Sequence, residues 1–173
     1  MKRKELNKIL DDHKLYVESE GEEGEQANLE GADLTSAKLQ GAILHGANLK
    51  GVNLKGVNLR SVEFLGTNLE GANLEGANLQ DASLEEANLH FAVLKCVNLE
   101  CADLFSANLE CADLSGAVLS GVDLRGANLK GAKFTTEIRE VRLLQFCDIT
   151  KDQLAWLVLH PQFSEFYPTL RVS

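Results

Sequence analysis

No stretch of this chain is apolar for long enough to span a membrane, and the basic opening Met1-Lys2-Arg3-Lys4 runs into Glu5, Asn7 and Asp11 instead of an apolar signal core. The expected compartment is therefore the cytoplasm. Positive charge is also scarce: 17 Lys and Arg face 26 Asp and Glu, a formal net charge of -9, and no basic stripe is present. Neither direct binding to nucleic acid nor a membrane partner is expected of such a chain. The four cysteines lack metal-ligand spacing, so no metal site is expected. Aromatic residues make up 6% of the chain, and Phe146, Trp156, Phe163, Phe166 and Tyr167 gather near its end. No serine sits in a nucleophile elbow, and no glycine run has the form of a phosphate loop.

What the chain does have is a period. Leucine or phenylalanine occupies every fifth position from Leu29 to Phe134, giving 22 centres of which only Phe64 and Phe134 are not leucine. Two residues before each centre stands Ala, Val or, once, Thr67. A fixed internal period marks a stacked repeat architecture. An α-helix does not accommodate it, because five residues advance about 500° and the centres spiral around the axis. A straight strand fails as well, since an odd period sends successive leucines to opposite faces. A short extended segment followed by a sharp bend resolves the conflict, because the bend returns every Ala and Leu to the inside. The residue types agree. Asn or Asp mostly lies between Ala and Leu, as in Asn28, Asp33, Asn48 and Asn53, and favours turns. Glycine mostly holds the bend, as in Gly31, Gly41, Gly46 and Gly51, where its backbone freedom suits a corner.

Ala27-Asn28-Leu29-Glu30-Gly31, repeated onward to residue 134, resembles the pentapeptide repeat family, A(D/N)LxG. The resemblance implies an all-β solenoid of the Rfr-fold, a right-handed quadrilateral β-helix with four pentapeptides per coil and leucines stacked along the axis. Right-handed coiling agrees with the general chirality of parallel crossovers. Reading every twentieth residue supports the four-sided register: Asn28, Asn48, Asn68, Asn88, Asn108 and Asn128 form one unbroken column. The outward column Glu30, Lys50, Glu70, His90, Glu110, Lys130 sets opposite charges on neighbouring coils. At about 4.8 Å per coil, roughly 5.5 coils make a rod about 26 Å long. Each buried Leu or Phe is worth about 1.5 to 3 kcal/mol, so the core needs no metal or disulfide. Leucine on leucine with alanine between leaves no room for a ligand. No cofactor is expected, and any function lies on the outside.

In this register Cys96, Cys101 and Cys111 occupy corners of different columns, too far apart for disulfides, and read as small residues standing in for glycine. His45 and His90 point outward on different sides, while His13 and His160 lie in the flanks, so none has an evident acid, base or nucleophile partner. No catalytic residue is expected, and the protein is read as not an enzyme.

Three segments follow: residues 1–26 as an N-terminal helical cap, 27–134 as the β-helix, and 135–173 as a C-terminal helical cap, all within one structural domain. A solenoid needs its ends covered. Leu6, Ile9, Leu10, His13, Tyr16 and Val17 fall at helical spacing, followed by the acidic, glycine-containing Glu18 to Gln26. This is similar to the amphipathic start of cyanobacterial members of the family. Beyond Phe134, a short helix is suggested by Ile138, Val141, Leu143 and Leu144. Thr150-Lys151-Asp152-Gln153 has capping-box spacing ahead of a second helix ended by His160-Pro161. Cys147-Asp148-Ile149 is in register with the repeat as a stray unit. Trp156, Phe163, Phe166 and Tyr167 serve either the cap or a dimer surface, so monomer and homodimer both stay open.

For function, the leading expectation is a non-enzymatic structural or protein-interaction module with an unknown protein partner. The alternative is imitation of DNA toward a type II topoisomerase, as the resemblance to quinolone-resistance members implies. Charge argues against that alternative. B-DNA carries one charge per about 1.7 Å, so imitating the rod needs about 15 negative charges, whereas residues 27–134 hold 13 acidic and 8 basic residues. An interaction surface should show as a departure from the repeat. Leu65 and Phe105 share an outward column, separated by Glu85, and Phe91 and Val93 meet at another corner; these four are the candidate patch.

Overall fold

The computed structural model describes residues 2–134, and in it the residue between an Ala or Val and its Leu bridges in parallel to the residue twenty positions on, with one exception at Lys38. Asn28 pairs with Asn48, Asp33 with Asn53, Glu63 with Ser83, and the series continues to Asp113 with Lys133. Five-residue sides on a twenty-residue turn make each coil four-sided. No side is a long strand. Each is a single bridging residue held by two bonds: Leu49 N–H donates to the Asn68 carbonyl at 2.8 Å, and Asn68 N–H donates to the Ala47 carbonyl at 3.0 Å. The corner adds a third, from Gly51 N–H to the Glu70 carbonyl at 2.8 Å. Because the sides repeat this set, with the exception at Lys38 described below, the backbone is satisfied by stacking instead of by strand length.

Each corner is a β-turn closed by a bond such as Ala32 N–H to the Leu29 carbonyl at 3.0 Å. The bend residue has positive φ, 64° at Gly31, while the residue before it does not, which is the type II pattern. This returns the chain inward every five residues. The centres from Leu29 to Leu129 are then withdrawn from solvent together with most of the Ala and Val positions, in one continuous core, while Ala32, Ala37 and Ala42 are partly buried against it. Thr67, the polar exception at an Ala position, is buried and its hydroxyl donates to the Leu44 carbonyl at 2.6 Å. Phe134, the last centre, is only partly buried.

One corner departs from the expected bend. Ser36 is not among the positive-φ residues, and no bridge forms between Lys38 and Asn58 on the side it leads into. Without the left-handed turn the next side is not presented squarely to the coil above, so the ladder opens there and resumes with Gly41 N–H on the Arg60 carbonyl at 3.0 Å.

The helix α1 spans Arg3–Glu18 and buries Leu6 and His13, with Ile9 and Leu10 partly buried against the solenoid core. Its end is a Schellman arrangement: Gly21 N–H bonds the Tyr16 carbonyl at 2.8 Å, Glu20 N–H bonds the Val17 carbonyl at 3.2 Å, and Glu20 has a φ of 55°. The chain then folds back along the helix at Gly24, where a β-carbon would stand 2.2 Å from the Asp12 carbonyl oxygen. The helices expected after residue 134, the stray unit at Cys147-Asp148-Ile149, and the surface formed by Trp156, Phe163, Phe166 and Tyr167 lie outside the described residues.

Candidate interaction surface

The Asn column occupies the side of the coil that carries residues 28, 48, 68, 88, 108 and 128, and its amides are committed to one another. Asn48 Nδ2 donates to Asn28 Oδ1 at 3.1 Å, Asn88 to Asn68 at 3.3 Å, Asn108 to Asn88 at 3.2 Å and Asn128 to Asn108 at 3.1 Å. The same oxygens accept the backbone N–H two residues on, as at His90 N–H to Asn88 Oδ1, 3.2 Å. With its polar groups used in this way, the side is a built wall with little spare capacity for a partner.

The corners flanking that wall are different. At the corner before it, Leu65, Glu85, Phe105 and Arg125 stack one coil apart, and Leu65 and Phe105 are 40% and 41% exposed. The Arg125 guanidinium lies 5.8 Å from the centroid of the Phe105 ring and is held in place by Asp123. Glu85 is crowded by like charge. Asp103 first, then burial, with Glu86 and Asp123 adding, holds its carboxyl above the usual range.

At the corner after the wall stands Phe91, 58% exposed, with its ring 4.1 Å from that of His90. Its φ of 57° puts a bulky residue in the left-handed region. Phe91 belongs to a run: Asp81, Glu86, Phe91, Cys96, Cys101, Ser106 and Cys111 are seven successive corners without glycine, all with φ between 53° and 59°. Val93 sits half-buried on the next side, bridged to Asn73 and Asp113. Leu65 and Phe105 therefore share one corner, Phe91 and Val93 belong to the next, and the Asn wall separates the two pairs. Val118, 48% exposed, lies on a different side, bridged to Asn98.

Lys50 meets Glu70 at 3.0 Å, Lys55 meets Glu75 at 2.9 Å and Arg60 meets Asp81 at 3.0 Å, each pair one coil apart. Cys96, Cys101 and Cys111 are free thiols. Among the described residues no group of His, Cys, Asp and Glu is placed to hold a metal ion, and no helix is long and apolar enough to cross a membrane.

One residue with a distinct role was not visible in the sequence. His13 is completely buried, and its Nδ1 accepts the Ala27 N–H at 3.0 Å. Its Nε2 is buried without a partner. Position on the apolar face of α1 was the only available signal, and that face suits a packed histidine as readily as a bonded one.

The sequence profile described as pentapeptide repeats matches in eight copies, over residues 25–51, 44–76, 63–100, 72–110 and 98–135. No curated protein matches the chain. Among solved structures, HetL, a pentapeptide repeat protein involved in heterocyst differentiation regulation in the cyanobacterium Nostoc sp. strain PCC 7120, is 34% identical with a TM-score of 0.35. The match covers 62% of this chain and 62% of HetL, so the chain spans less than two thirds of that relative. Rfr23 of the cyanobacterium Cyanothece 51142 is 31% identical with a TM-score of 0.35, over 66% of this chain and 88% of that one. A pentapeptide repeat protein of the Arabidopsis thaliana thylakoid lumen is 28% identical with a TM-score of 0.34, over 76% and 78% of the two chains.

Proposed function

The chain belongs to the pentapeptide repeat family, and on that premise we propose that it is a non-enzymatic protein-interaction module. In this reading it is a right-handed quadrilateral β-helix of 22 repeats working in the cytoplasm, and it meets a protein partner through Leu65, Phe91, Val93 and Phe105. The family as a whole serves structural and interaction roles. The observation that carries the proposal is Phe91. A corner that glycine fills without strain elsewhere holds instead an aromatic ring that is 58% exposed at a φ of 57°. Backbone strain without compensating burial is what a binding residue leaves in an unbound surface.

The duplex-imitation alternative gains no support from the surface. Lys50, Lys55 and Arg60 neutralise carboxylates in the stretch where the acidic belt of Glu70, Glu75 and Asp81 begins. A topoisomerase supercoiling assay separates the two readings: no inhibition at stoichiometric protein is expected, and inhibition there reverses their order. The interaction reading is tested by affinity capture from the source organism with wild type and with Phe91→Ser, Phe105→Ser. The double variant should remain folded and lose the captured protein, whereas unchanged capture rejects this surface.

A further inference from the structure

His13 is the one titratable side chain among the described residues that is wholly withdrawn from solvent. It stands where α1 meets the first coil, and its Nδ1 accepts the amide of Ala27, the residue that opens the first repeat. An imidazole that accepts at Nδ1 is neutral and carries its proton on Nε2. That N–H is buried with no acceptor, so the ring already sits in a site that offers a proton nothing. The groups around it give no compensation for charge. Helix α1 contributes Tyr16, whose ring stacks at 6.2 Å. The solenoid contributes His45, itself held to Glu63 at 2.8 Å, and the connecting segment reaches the ring through the Ala27 amide. Protonating Nδ1 turns the acceptor into a donor aimed at another donor, and it strands a cation in a buried site facing a second histidine.

We infer that His13 is a proton-operated latch: neutral, it fastens α1 across the start of the solenoid, and protonated, it releases α1 and uncovers the edge of the first coil. Burial first, and the neighbouring His45 second, lower the affinity of His13 for a proton. Released into water, the same ring titrates near its ordinary value of about 6.5. The released state therefore binds more protons than the docked one. Docking is at full strength above that value and weakens as pH falls from it toward the lower docked value. What comes free is the Leu6 face of α1, which belongs to the same buried cluster as Ala27 and Leu29. The latch stands on this junction alone and does not depend on the partner-binding reading.

The test is NMR on the full chain, following the His13 Cε1 proton and the Ala27 amide, with exchange rates corrected for their intrinsic pH dependence. His13 should titrate below about 6.5, and the opening constant at Ala27 should rise by up to about tenfold per pH unit over the same range. Leu49, bonded within the solenoid, should stay protected throughout. His13→Gln keeps an acceptor without a titrating proton and should give a flat profile, and His45→Asn should keep the step. The inference is overturned if His13 titrates at or above its ordinary value with Ala27 protected, or if protection is lost only in the carboxylate range. A His13→Gln variant that fails to dock leaves the decision to the wild-type titration, which is sufficient by itself.

Discussion

A phenylalanine at a φ of 57° with more than half its surface in water loses at the backbone and gains less from burial than a core residue does. The left-handed region costs an L-residue roughly 1 to 2 kcal/mol, and glycine is exempt. Phe91→Gly should therefore stabilise the protein by about 1 kcal/mol in urea unfolding while it weakens partner capture. Loss of stability in that variant would show that the ring is held by contacts the strain argument ignores. The glycines themselves are not equivalent. A β-carbon on Gly51 meets nothing within 4 Å, so Gly51→Ala should cost about 1 kcal/mol from backbone alone. On Gly116 it comes 2.9 Å from Cys96 Sγ, because the side chain at a filled corner leans on the glycine one coil later. Gly116→Ala should cost more than Gly51→Ala, and adding Cys96→Gly should remove the excess. A double-mutant cycle that shows no coupling contradicts this stacking of corners.

Among the elements, α1 and the connection behind it depend on one glycine. At Gly24 the φ is 74°, and a β-carbon would approach the Asp12 carbonyl oxygen at 2.2 Å and the Tyr16 nitrogen at 2.7 Å, both of them backbone atoms that cannot swing aside. Gly24→Ala should undock α1 and deprotect the Ala27 amide in hydrogen exchange, with the amides of later coils unchanged; retained protection at Ala27 rejects the argument. The sequence shows α1 clearly, since Leu6, Ile9, Leu10 and His13 form one apolar face. It does not show the His13–Ala27 bond or the tightness at Gly24, because both depend on how the connecting segment folds back. The same limit applies at Ser36. Serines at residues 61 and 106 take the left-handed corner and Ser36 does not, so residue type alone does not decide the turn. The candidate patch was legible only as a list of misfits to the repeat. That Leu65 and Phe105 share a corner follows from the twenty-residue register. The commitment of the intervening Asn amides to one another is a matter of side-chain geometry.

For the whole molecule, the period explains nearly everything about shape. A core built from one residue type at one spacing has no alternative packing with comparable burial, so the register stays the same from Leu29 to the last described coil. Leu79, completely buried on the axis, tests this globally. Leu79→Asp should abolish cooperative unfolding and the protected amides of the middle coils, since a carboxylate there has no partner; a folded variant of equal stability would contradict the packed axis. The most direct measurement is through-hydrogen-bond scalar coupling in the full chain. The four-sided coil predicts couplings from Leu49 N to the Asn68 carbonyl carbon, from Leu54 N to Asn73 and from Asn68 N to Ala47, repeating along the rod at each side except the open one at Lys38. Beyond the i to i−3 bonds of the corners, couplings at a helical spacing between residues 27 and 134, or couplings that join neighbouring coils in any other register, would contradict the account.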